Sequence, residues 1–429
     1  MGEDFVARQR PRSCSPETSP PPPRSPADDD DLLSEILLRL PPQPSSLLRA
    51  SLVCKRWRRL VASPVFLRRF RAHHHRSPPL LGFFIDDYGD ALFTPTLDPP
   101  NRIAAERLSL RQGPGERLSF LGCRHGLALL LNRPRLEALV WDPVTGRRRA
   151  VAFPPEFAIN QGDFVRGGAV LCAAAAADDD HVHVHGDCPF KLALVFIDNG
   201  RTQISVCLYD SECGTWGDIA STALVTQWTS SVGTSTMVGN VLCWLIHRPI
   251  CILEFNLDKQ ILSVIGGLAH VPDNSRPSSS FIFPMEDSKL GIGILSGQRI
   301  RLWERMANSE WLLRRTLELE KILSLKPQAE PWRPVVLGFA EESNAVFVLT
   351  AIGVFMIQLD SLQFRNLFES NFVTSFYPYT SFYTAAFLNM AEGPGEASTK
   401  AEGRQKLEEN KGQGGVGTET RGLQGLIST

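Results

Sequence analysis

The sequence has no long apolar run and no segment of the kind that directs secretion. A membrane-spanning helix needs about 20 mostly apolar residues. The nearest candidate, residues 345–359, is interrupted by Thr350, Gly353 and Gln358, and fits two strands better. The first 27 residues are rich in Arg, Pro and Ser and lack the apolar centre of a signal peptide. We therefore expect a soluble intracellular protein, in the cytoplasm, the nucleus or both.

The cysteines lack a metal-binding arrangement. The nine cysteines are scattered over 429 residues without a C-x-x-C pair. Structural zinc sites usually draw on such pairs, and disulfides are rare inside cells. We expect buried thiols, with no metal or other cofactor. The formal net charge of −1 gives the protein no overall attraction to nucleic acid or acidic lipid.

The common catalytic motifs are missing as well. The sequence contains no nucleophile elbow, zinc-protease helix motif or P-loop. Residues 291–297, GIGILSG, look like a nucleotide-binding glycine loop, but the alternating run QRIRLW follows where such a loop requires a helix. Glycines in a tightly packed strand explain the segment better. We expect no enzymatic activity, with an enzyme of the propeller type as the alternative.

One histidine-rich segment could hold a metal ion. Residues 178–187 read DDDHVHVHGD, and an extended strand would place His181, His183 and His185 on one face. The segment follows five alanines at 173–177 and has the character of a low-complexity insertion. A solvated loop is therefore favoured, with a divalent-metal site as the alternative.

Residues 28–75 have the pattern of short amphipathic helices. Asp28 to Asp31 place cap candidates and negative charge before an apolar stripe of helical spacing: Leu32, Leu33, Ile36, Leu37 and Leu40. Pro41 and Pro42 end this helix. A second helix is predicted behind the cap candidates Ser45 and Ser46, with apolar positions at Leu47, Leu48, Leu52, Val53, Trp57 and Leu60.

A third helix is predicted to begin at Pro64, after the cap candidate Ser63. Val65, Phe66 and Phe70 would pack it onto the other two. A domain this small buries little surface alone and is marginal without a partner. Either another protein covers part of the module, or the module packs as a satellite on its own chain.

The order of residues in this module resembles the F-box, which docks substrate receptors onto a ubiquitin-ligase scaffold. The matching runs are DLLSEILLRLP at 31–41 and SLLRASLVCKRW at 46–57. The resemblance implies binding to a Skp-type adaptor and, through it, to a cullin and a RING subunit. The positions it implies for the core and the adaptor-facing surface together are Leu32, Leu33, Ile36, Leu37, Leu40, Pro41, Leu52, Val53, Cys54 and Trp57. The family usually opens with Leu-Pro where this chain has Asp28-Asp29, which predicts weaker adaptor binding.

The same module is strongly basic, which supports a different interpretation. No acidic residue lies between Pro41 and Ile85, a stretch that contains Arg49, Lys55, Arg56, Arg58, Arg59, Arg68, Arg69, Arg71 and Arg76. Short basic helices can contact phosphates as a helix-turn-helix does, although no base-reading Asn or Gln is visible here. The alternative function is therefore a propeller scaffold or nucleic-acid-associated protein that is not linked to ubiquitin transfer.

From residue 80 to 388 the chain changes to short strand-like runs separated by Gly, Pro, Asp and Asn. We predict strands at 127–131, 192–197, 203–209, 240–247, 250–257, 299–305, 335–340, 345–350 and 354–359, with one helix-like exception at 315–325. A strand end followed by a polar turn recurs about six times, 46 to 68 residues apart. Each interval suits one four-stranded blade, so a β-propeller is predicted, with a pair of β-sandwiches as the alternative.

This β region resembles the propeller-type F-box-associated domains of plant F-box proteins. The matching phrases are VWDPVTG at 140–146, VGNVLCW at 238–244 and ILEFNLD at 252–258. The resemblance implies that the domain recognises a protein target. The predicted fold class is thus α+β and multidomain, with a three-helix F-box at 28–75 and a mostly antiparallel β domain at 80–388. Polar segments at 1–27 and 391–429 contain too few apolar residues to fold, and we expect them to be disordered.

Overall fold

The structure, a computed structural model, describes residues 30–74, 78–159, 164–172, 189–198, 200–223, 232–247, 250–266, 279–323, 333–368 and 376–383. A helical module is followed by a ring of antiparallel sheets. The segments at 1–27 and 391–429, Asp28 and Asp29, and the three histidines at 181–185 lie outside the described residues, so the predictions made for them stay predictions.

Four helices, rather than the predicted three, form the module: α1 (Asp30–Leu38), α2 (Pro44–Val53), α3 (Lys55–Ala62) and α4 (Pro64–His73). The predicted second helix is divided at Cys54, whose backbone is extended (φ −161°, ψ 169°). An unbroken helix over 44–62 would be about 28 Å long, too long for both ends to pack on one small core. The break allows α3 to lie against α1, α2 and α4.

Proline, rather than a capping hydroxyl, marks the start of two of these helices. Pro44 and Pro64 occupy the first turn of α2 and α4, and neither Gln43 nor Ser63 makes a side-chain cap. A proline there costs nothing because its missing N–H would have no partner in the helix. The predicted cap Ser45 lies within α2 instead, so that prediction was wrong.

The ring consists of six sheets, called blades 1 to 6. Blade 1 joins β1 (Leu80–Asp87) and β2 (Asp90–Pro95) to the last strand, β24 (Tyr377–Thr380). Blade 2 contains β3 (Leu118–Arg124), β4 (Leu127–Asn132), β5 (Glu137–Trp141) and β6 (Arg148–Ala152). Blade 3 contains β7 (Phe164–Cys172), β8 (Phe190–Ile197), β9 (Gln203–Asp210), β10 (Thr215–Trp216) and β11 (Ala220–Ala223).

Blades 4 to 6 each have four strands. Blade 4 contains β12 (Val232–Val238), β13 (Val241–His247), β14 (Ile250–Asn256) and β15 (Ile261–Ile265). Blade 5 contains β16 (Ser279–Met285), β17 (Lys289–Ser296), β18 (Arg299–Arg305) and β19 (Trp311–Glu318). Blade 6 contains β20 (Val335–Ala340), β21 (Ala345–Thr350), β22 (Gly353–Gln358) and β23 (Phe364–Phe368).

Short helices connect some blades: α5 (Ala105–Leu108), α6 (Pro155–Ile159) and α7 (Leu319–Ile322). No helix in the described ranges is both long and apolar enough to cross a membrane.

The innermost strands close the ring. In order around the centre, β24, β3, β7, β12, β16 and β20 each contact the next, and β20 contacts β24 again. Because β24 comes from the C-terminal end of the ring and pairs with β1 from its start, the chain closes the circle itself and leaves no exposed edge between blades. The architecture is a six-bladed β-propeller, as predicted.

Close packing within the blades explains the glycine-rich segment. It forms β17, where a Cβ on Gly291 or Gly293 would lie 2.5 or 2.3 Å from the rings of Phe283 and Phe281. Only glycine leaves room for these rings. Packing between blades is similarly tight, since Trp244 is fully buried and its indole N–H donates to the Gly168 carbonyl at 3.4 Å.

Most strand predictions are confirmed. The predicted strands at 299–305, 335–340 and 345–350 agree with β18, β20 and β21 at both ends, and the other six lie within two residues of β4, β8, β9, β13, β14 and β22. The possible helix at 315–325 is confirmed only in part: residues 315–318 pair with β18, Leu319–Ile322 is helical, and residues 324 and 325 lie outside the described part of the chain. Cross-strand pairing outweighs local propensity at this position.

The recurring polar turn connects the third and fourth strands of a blade. Asp142 Oδ1 accepts the Val144 N–H at 2.9 Å, and Asp210 Oδ1 accepts the Glu212 N–H at 2.8 Å. Asn256 Oδ1 accepts the Lys259 N–H at 2.9 Å in the same way. Such side chains stabilise a turn by bonding to its backbone, which is why the pattern was visible in the sequence.

One cysteine differs from the expectation of free thiols. Cys172, at the end of β7, is disulfide-bonded, and its partner lies outside the described residues. Cys207, Cys243 and Cys251 are buried thiols as expected. Burial raises the pKa of each of these three thiols, which makes them poor nucleophiles.

The propeller has two faces. The helical module leads directly into β1, so the face on which β1 begins is called the helix-side face. β24 runs towards this face, because its last residue, Thr380, pairs with Leu80 at the start of β1. The Tyr377 hydroxyl donates to Phe120 O at 2.9 Å and the Tyr379 hydroxyl to Gly126 O at 3.1 Å, so β3 runs in the same direction.

The next blade has the same orientation. The Cys172 N–H donates to Nδ1 of His125, in the turn after β3, at 3.3 Å, so β7 also ends on the helix-side face. The turns between β4 and β5 and between β8 and β9 therefore lie on the opposite face, called the far face.

Candidate docking surface of the helical module

Helix α1 separates the predicted adaptor-binding residues into two sets. Leu33 and Leu37 are 1% exposed, whereas Leu32 and Ile36 are 49% and 50% exposed. Residues four apart lie on the same face of a helix, so each pair forms a stripe of its own. One stripe belongs to the core of the module and the other faces solvent.

A second exposed group lies where α2 ends. Leu52 and Val53 are 60% and 62% exposed, and Cys54 is exposed beside them. Pro41 is exposed in the loop between α1 and α2. The exposed apolar surface of the module is defined here as Leu32, Ile36, Pro41, Leu52, Val53 and Cys54.

Leu40 and Trp57, the remaining predicted residues, are half-buried against the module core. That core consists of Leu33, Leu37, Leu38, Leu47, Ala50, Val61, Phe66, Leu67 and Phe70. Val65, predicted to pack inward, is 55% exposed instead, because Phe66, Leu67 and Phe70 form the inward face of α4. Burial thus divides the ten predicted positions into core and exposed residues. The sequence alone did not separate them.

Polar contacts join α1 to α3 and to α4. Arg56 Nε bonds Asp30 Oδ1 at 2.7 Å, which places the beginning of α3 beside the beginning of α1. Arg69 of α4 bonds both Ser34 and Glu35 of α1. Surface ion pairs contribute only about 0–1 kcal/mol each, so their main effect is to position the helices.

These contacts also pair some of the arginines of the module with acceptors on the same chain. Arg56 and Arg69 pair with carboxylates, and Arg58 Nε donates to the Ser51 carbonyl at 3.4 Å, across the break at Cys54. A phosphate-binding surface would instead present its guanidinium groups to solvent. The arrangement of these three arginines favours a structural role for them.

The module packs directly on the propeller. Asn101 Oδ1, in the loop after β2, accepts the Ser45 hydroxyl at 2.7 Å and the Ser45 N–H at 3.2 Å. The ring of Phe70 lies edge-on to Phe382, just after β24, with centroids 6.4 Å apart. No local sequence signal marks Asn101 or Phe382, because their roles depend on a contact between distant segments.

A buried ion pair occupies the centre of the ring on the helix-side face. Arg124, 8% exposed, donates to Glu341 through two nitrogens, at 2.5 and 2.7 Å, and to the Ser235 carbonyl at 2.8 Å. These residues border a central cavity of about 40 Å³, which has room for only a few waters. Burial, with Glu341 nearby, raises the pKa of the adjacent Glu342. The pair fastens blades 2, 4 and 6 together.

Within the described part of the chain, no three His, Cys, Asp or Glu side chains group together in a way that could hold a metal ion. The metal alternative for His181, His183 and His185 lies outside that part and stays untested.

Residues 29–69 match the family model of the F-box domain. The chain contains an F-box domain. This F-box domain includes α1, α2, α3 and the first half of α4, and a six-bladed propeller follows it. No curated protein matches the chain.

Solved structures resemble the chain only distantly. The extracellular domain of a two-component system from B. thetaiotaomicron is 12% identical over 60% of this chain, with a TM-score of 0.32, and the match spans only 28% of that protein. A protein of unknown function from Bacteroides caccae is 11% identical over 71% of this chain and 99% of its own, with a TM-score of 0.41. A protein from Lactobacillus plantarum is 12% identical over 70% and 87%, with a TM-score of 0.37. The propeller assignment therefore rests on the strand pairing.

Proposed function

We propose that this chain is the substrate-recognition subunit of an SCF-type ubiquitin ligase. The F-box would bind a Skp-type adaptor, and through it a cullin and a RING subunit, while the propeller would hold a protein target. One observation carries the proposal: the F-box leaves Leu32, Ile36, Leu52 and Val53 between 49% and 62% exposed, although its core is complete without them. F-box domains generally bind Skp-type adaptors, and this surface supplies a place for such contact.

Adaptor binding through this surface is physically reasonable. Covering a side chain that is about half exposed stabilises a complex by roughly 1 kcal/mol, since full burial of a large aliphatic side chain is worth about 1.5–3 kcal/mol. Four such side chains together form the apolar centre that stable interfaces commonly have. In this proposal the chain itself transfers no ubiquitin, and a conjugating enzyme recruited by the other subunits performs the chemistry.

Co-purification of the full-length chain with a Skp-type adaptor tests the proposal. The variants Ile36→Asp and Val53→Asp each place a charge on the exposed apolar surface without altering the core, and we expect at least a tenfold loss of adaptor affinity. Ile261→Asp is the matched control, because Ile261 is 58% exposed but lies on β15 of the propeller. Leu37 is unsuitable for this purpose, since it is buried and its replacement by Asp would unfold the module.

Two results would contradict the proposal. The first is that the intact protein retains no adaptor; the second is that all three variants bind it equally well. Retention of a polynucleotide instead, with an affinity that falls steeply as salt is added, would favour the alternative in which the basic helices contact phosphates.

A further inference from the structure

The outer strand of blade 5, β19, has one edge that no described strand covers. It pairs with β18 on its inner side and is the last strand of its sheet. Within the described part of the chain, residues 311–318 make no backbone–backbone hydrogen bond outside that sheet. β19 has eight residues, against two to six in the outer strands of the other blades. A long uncovered edge of this kind can pair with a further strand.

Two other outer strands are partly covered by their own chain. In β2, Ala91 exchanges both of its backbone hydrogen bonds with Leu110, at 2.8 and 2.9 Å. At the end of β6, the Ala152 carbonyl accepts the indole N–H of Trp216 at 2.9 Å. Among the described residues, no comparable contact reaches the outer edge of β19, although this strand is longer than either.

The uncovered strand also exposes apolar side chains on both of its faces. Leu312 and Leu313 are 43% and 42% exposed. Successive side chains of a strand point to opposite faces of its sheet, so one leucine lies on each face. Apolar side chains beside an uncovered edge favour pairing with another chain. β19 therefore has the properties of an interface strand.

The sequence of this strand is complementary to itself. Residues 310–314 read EWLLR. If two copies pair antiparallel with Leu312 opposite Leu312, then Glu310 of each copy lies opposite Arg314 of the other. Trp311 of each copy lies opposite Leu313 of the other. Opposite charges and apolar pairs directly across a sheet stabilise the pairing. This register therefore suits a second copy of the same chain.

Both charged groups retain the capacity for such a pair. Arg314 bonds Glu304 through Nε, and its two terminal nitrogens make no hydrogen bond to any described residue. Glu310 accepts the Asn308 side-chain amide at Oε2, at 2.7 Å, while its Oε1 makes no hydrogen bond within the described ranges. A guanidinium and a carboxylate can each form several hydrogen bonds at once.

We propose that two copies of this chain pair antiparallel through the outer edges of β19, in the register centred on Leu312. The two blades 5 then form one continuous eight-stranded sheet about a two-fold axis, with the same surface used on both copies. The module contacts blade 1, at Asn101 and Phe382, so each copy keeps its own module outside this interface. The inference does not depend on adaptor binding.

Sedimentation equilibrium of the full-length chain over a range of concentrations tests the pairing. The wild type should change from one chain to two as its concentration rises. Leu312→Lys places like charges opposite each other at the centre, but within its own blade the new side chain lies across from Glu304. It should weaken self-association at least tenfold while the urea midpoint stays at the wild-type value.

Ile261→Lys is the matched control. Ile261 is 58% exposed and lies on β15, the outer strand of blade 4. The same change at this position should alter self-association less than twofold.

Disulfide cross-linking tests the register. Leu312→Cys and Leu313→Cys are each made with Cys54→Ser and Cys213→Ser, which remove two exposed thiols. The proposed register places the two residues 312 directly opposite, whereas the two residues 313 form a diagonal pair about 7–8 Å apart. That separation is too long for a disulfide. On oxidation, Leu312→Cys should therefore yield at least tenfold more linked dimer than Leu313→Cys.

Three results would overturn the inference. The first is a wild-type chain that stays single up to its solubility limit. The second is equal self-association of the wild type and Leu312→Lys, or an equal loss in Leu312→Lys and Ile261→Lys. The third is cross-linking of Leu313→Cys that matches or exceeds that of Leu312→Cys.

Discussion

The F-box module and the propeller differ in how many of their large apolar side chains are exposed to solvent. Five large apolar side chains of the module are exposed, namely Leu32, Ile36, Leu52, Val53 and Val65, against nine in the much longer described part of the propeller. Each blade is covered on both sides by its neighbours, and the ring closes on itself. The module has only one small core, so one of its surfaces stays uncovered. The module therefore leaves a larger share of its large apolar side chains exposed than the described part of the propeller does.

Removing the ion pair at the centre of the propeller should lower the free energy of unfolding by the largest amount. Arg124→Ala should destabilise the ring by about 3–5 kcal/mol, because it leaves the largely buried carboxylate of Glu341 without its partner. Arg365→Ala is the control, since its pair with Asp98 is exposed and should be worth about 1 kcal/mol or less. Urea unfolding of the full chain measures both. Equal effects would mean that the ring does not depend on its central pair.

Adjacent residues of α1 provide the sharpest test of the module. Leu37→Ala should cost about 2–5 kcal/mol in module stability, because it opens a cavity in the core. Ile36→Ala, one residue away but half exposed, should cost less than about 1 kcal/mol while weakening adaptor binding. Hydrogen exchange of the α1 amides and adaptor titration separate the two effects. Similar destabilisation by both changes would refute the division into a core stripe and an exposed stripe.

The contact between the module and the propeller should contribute less to the stability of the module. Asn101→Ala removes both hydrogen bonds to Ser45 and should reduce the stability of the module by about 1 kcal/mol. Faster hydrogen exchange in α2 would report this loss. Asn308→Ala, in an exposed turn where the amide bonds Glu310, is the matched control. If α2 exchanges at the wild-type rate, the module does not rely on the propeller.

The smallest effect concerns acid stability within blade 5. Hydrogen bonds from Arg314 and Lys289 lower the pKa of Glu304 from its usual 4.5, so the carboxylate stabilises the fold above that pH. This contribution disappears as the pH falls through the lowered pKa. Glu304→Gln should therefore lose less stability than the wild type when acidified, as measured by urea midpoints at neutral and acidic pH. An unchanged pH slope would contradict the assignment.

Local patterns made much of the fold predictable. The polar turns at Asp142, Asp210 and Asn256 use their own side chains to bond the backbone, so the blade repeat was visible without tertiary information. The helices of the module were predictable because their apolar spacing and their prolines act within single helices, whereas the F-box was identified by its resemblance to the family. The possible helix at 315–325 forms only over Leu319–Ile322 among the described residues, because its first residues pair with β18, and that pairing depends on a partner strand.

The candidate site was predictable only as a set of residues. Helical spacing placed Leu32, Leu33, Ile36 and Leu37 together, but apolar identity does not say which of them a core will cover. That depends on where α3 and α4 lie, and hence on the extended backbone at Cys54. Arg124 and Glu341 are distant in sequence and share no motif, so only the ring brings them together.

By itself, the sequence determined the short helices of the module, the recurring turns of the β domain and most strand positions, because spacing, turn residues and glycines act locally. Only the tertiary structure decided which apolar side chains stay exposed and that Arg124 pairs with Glu341 across the centre of the ring. These outcomes depend on contacts between distant segments, which form only when the ring has closed and the helices have packed on it.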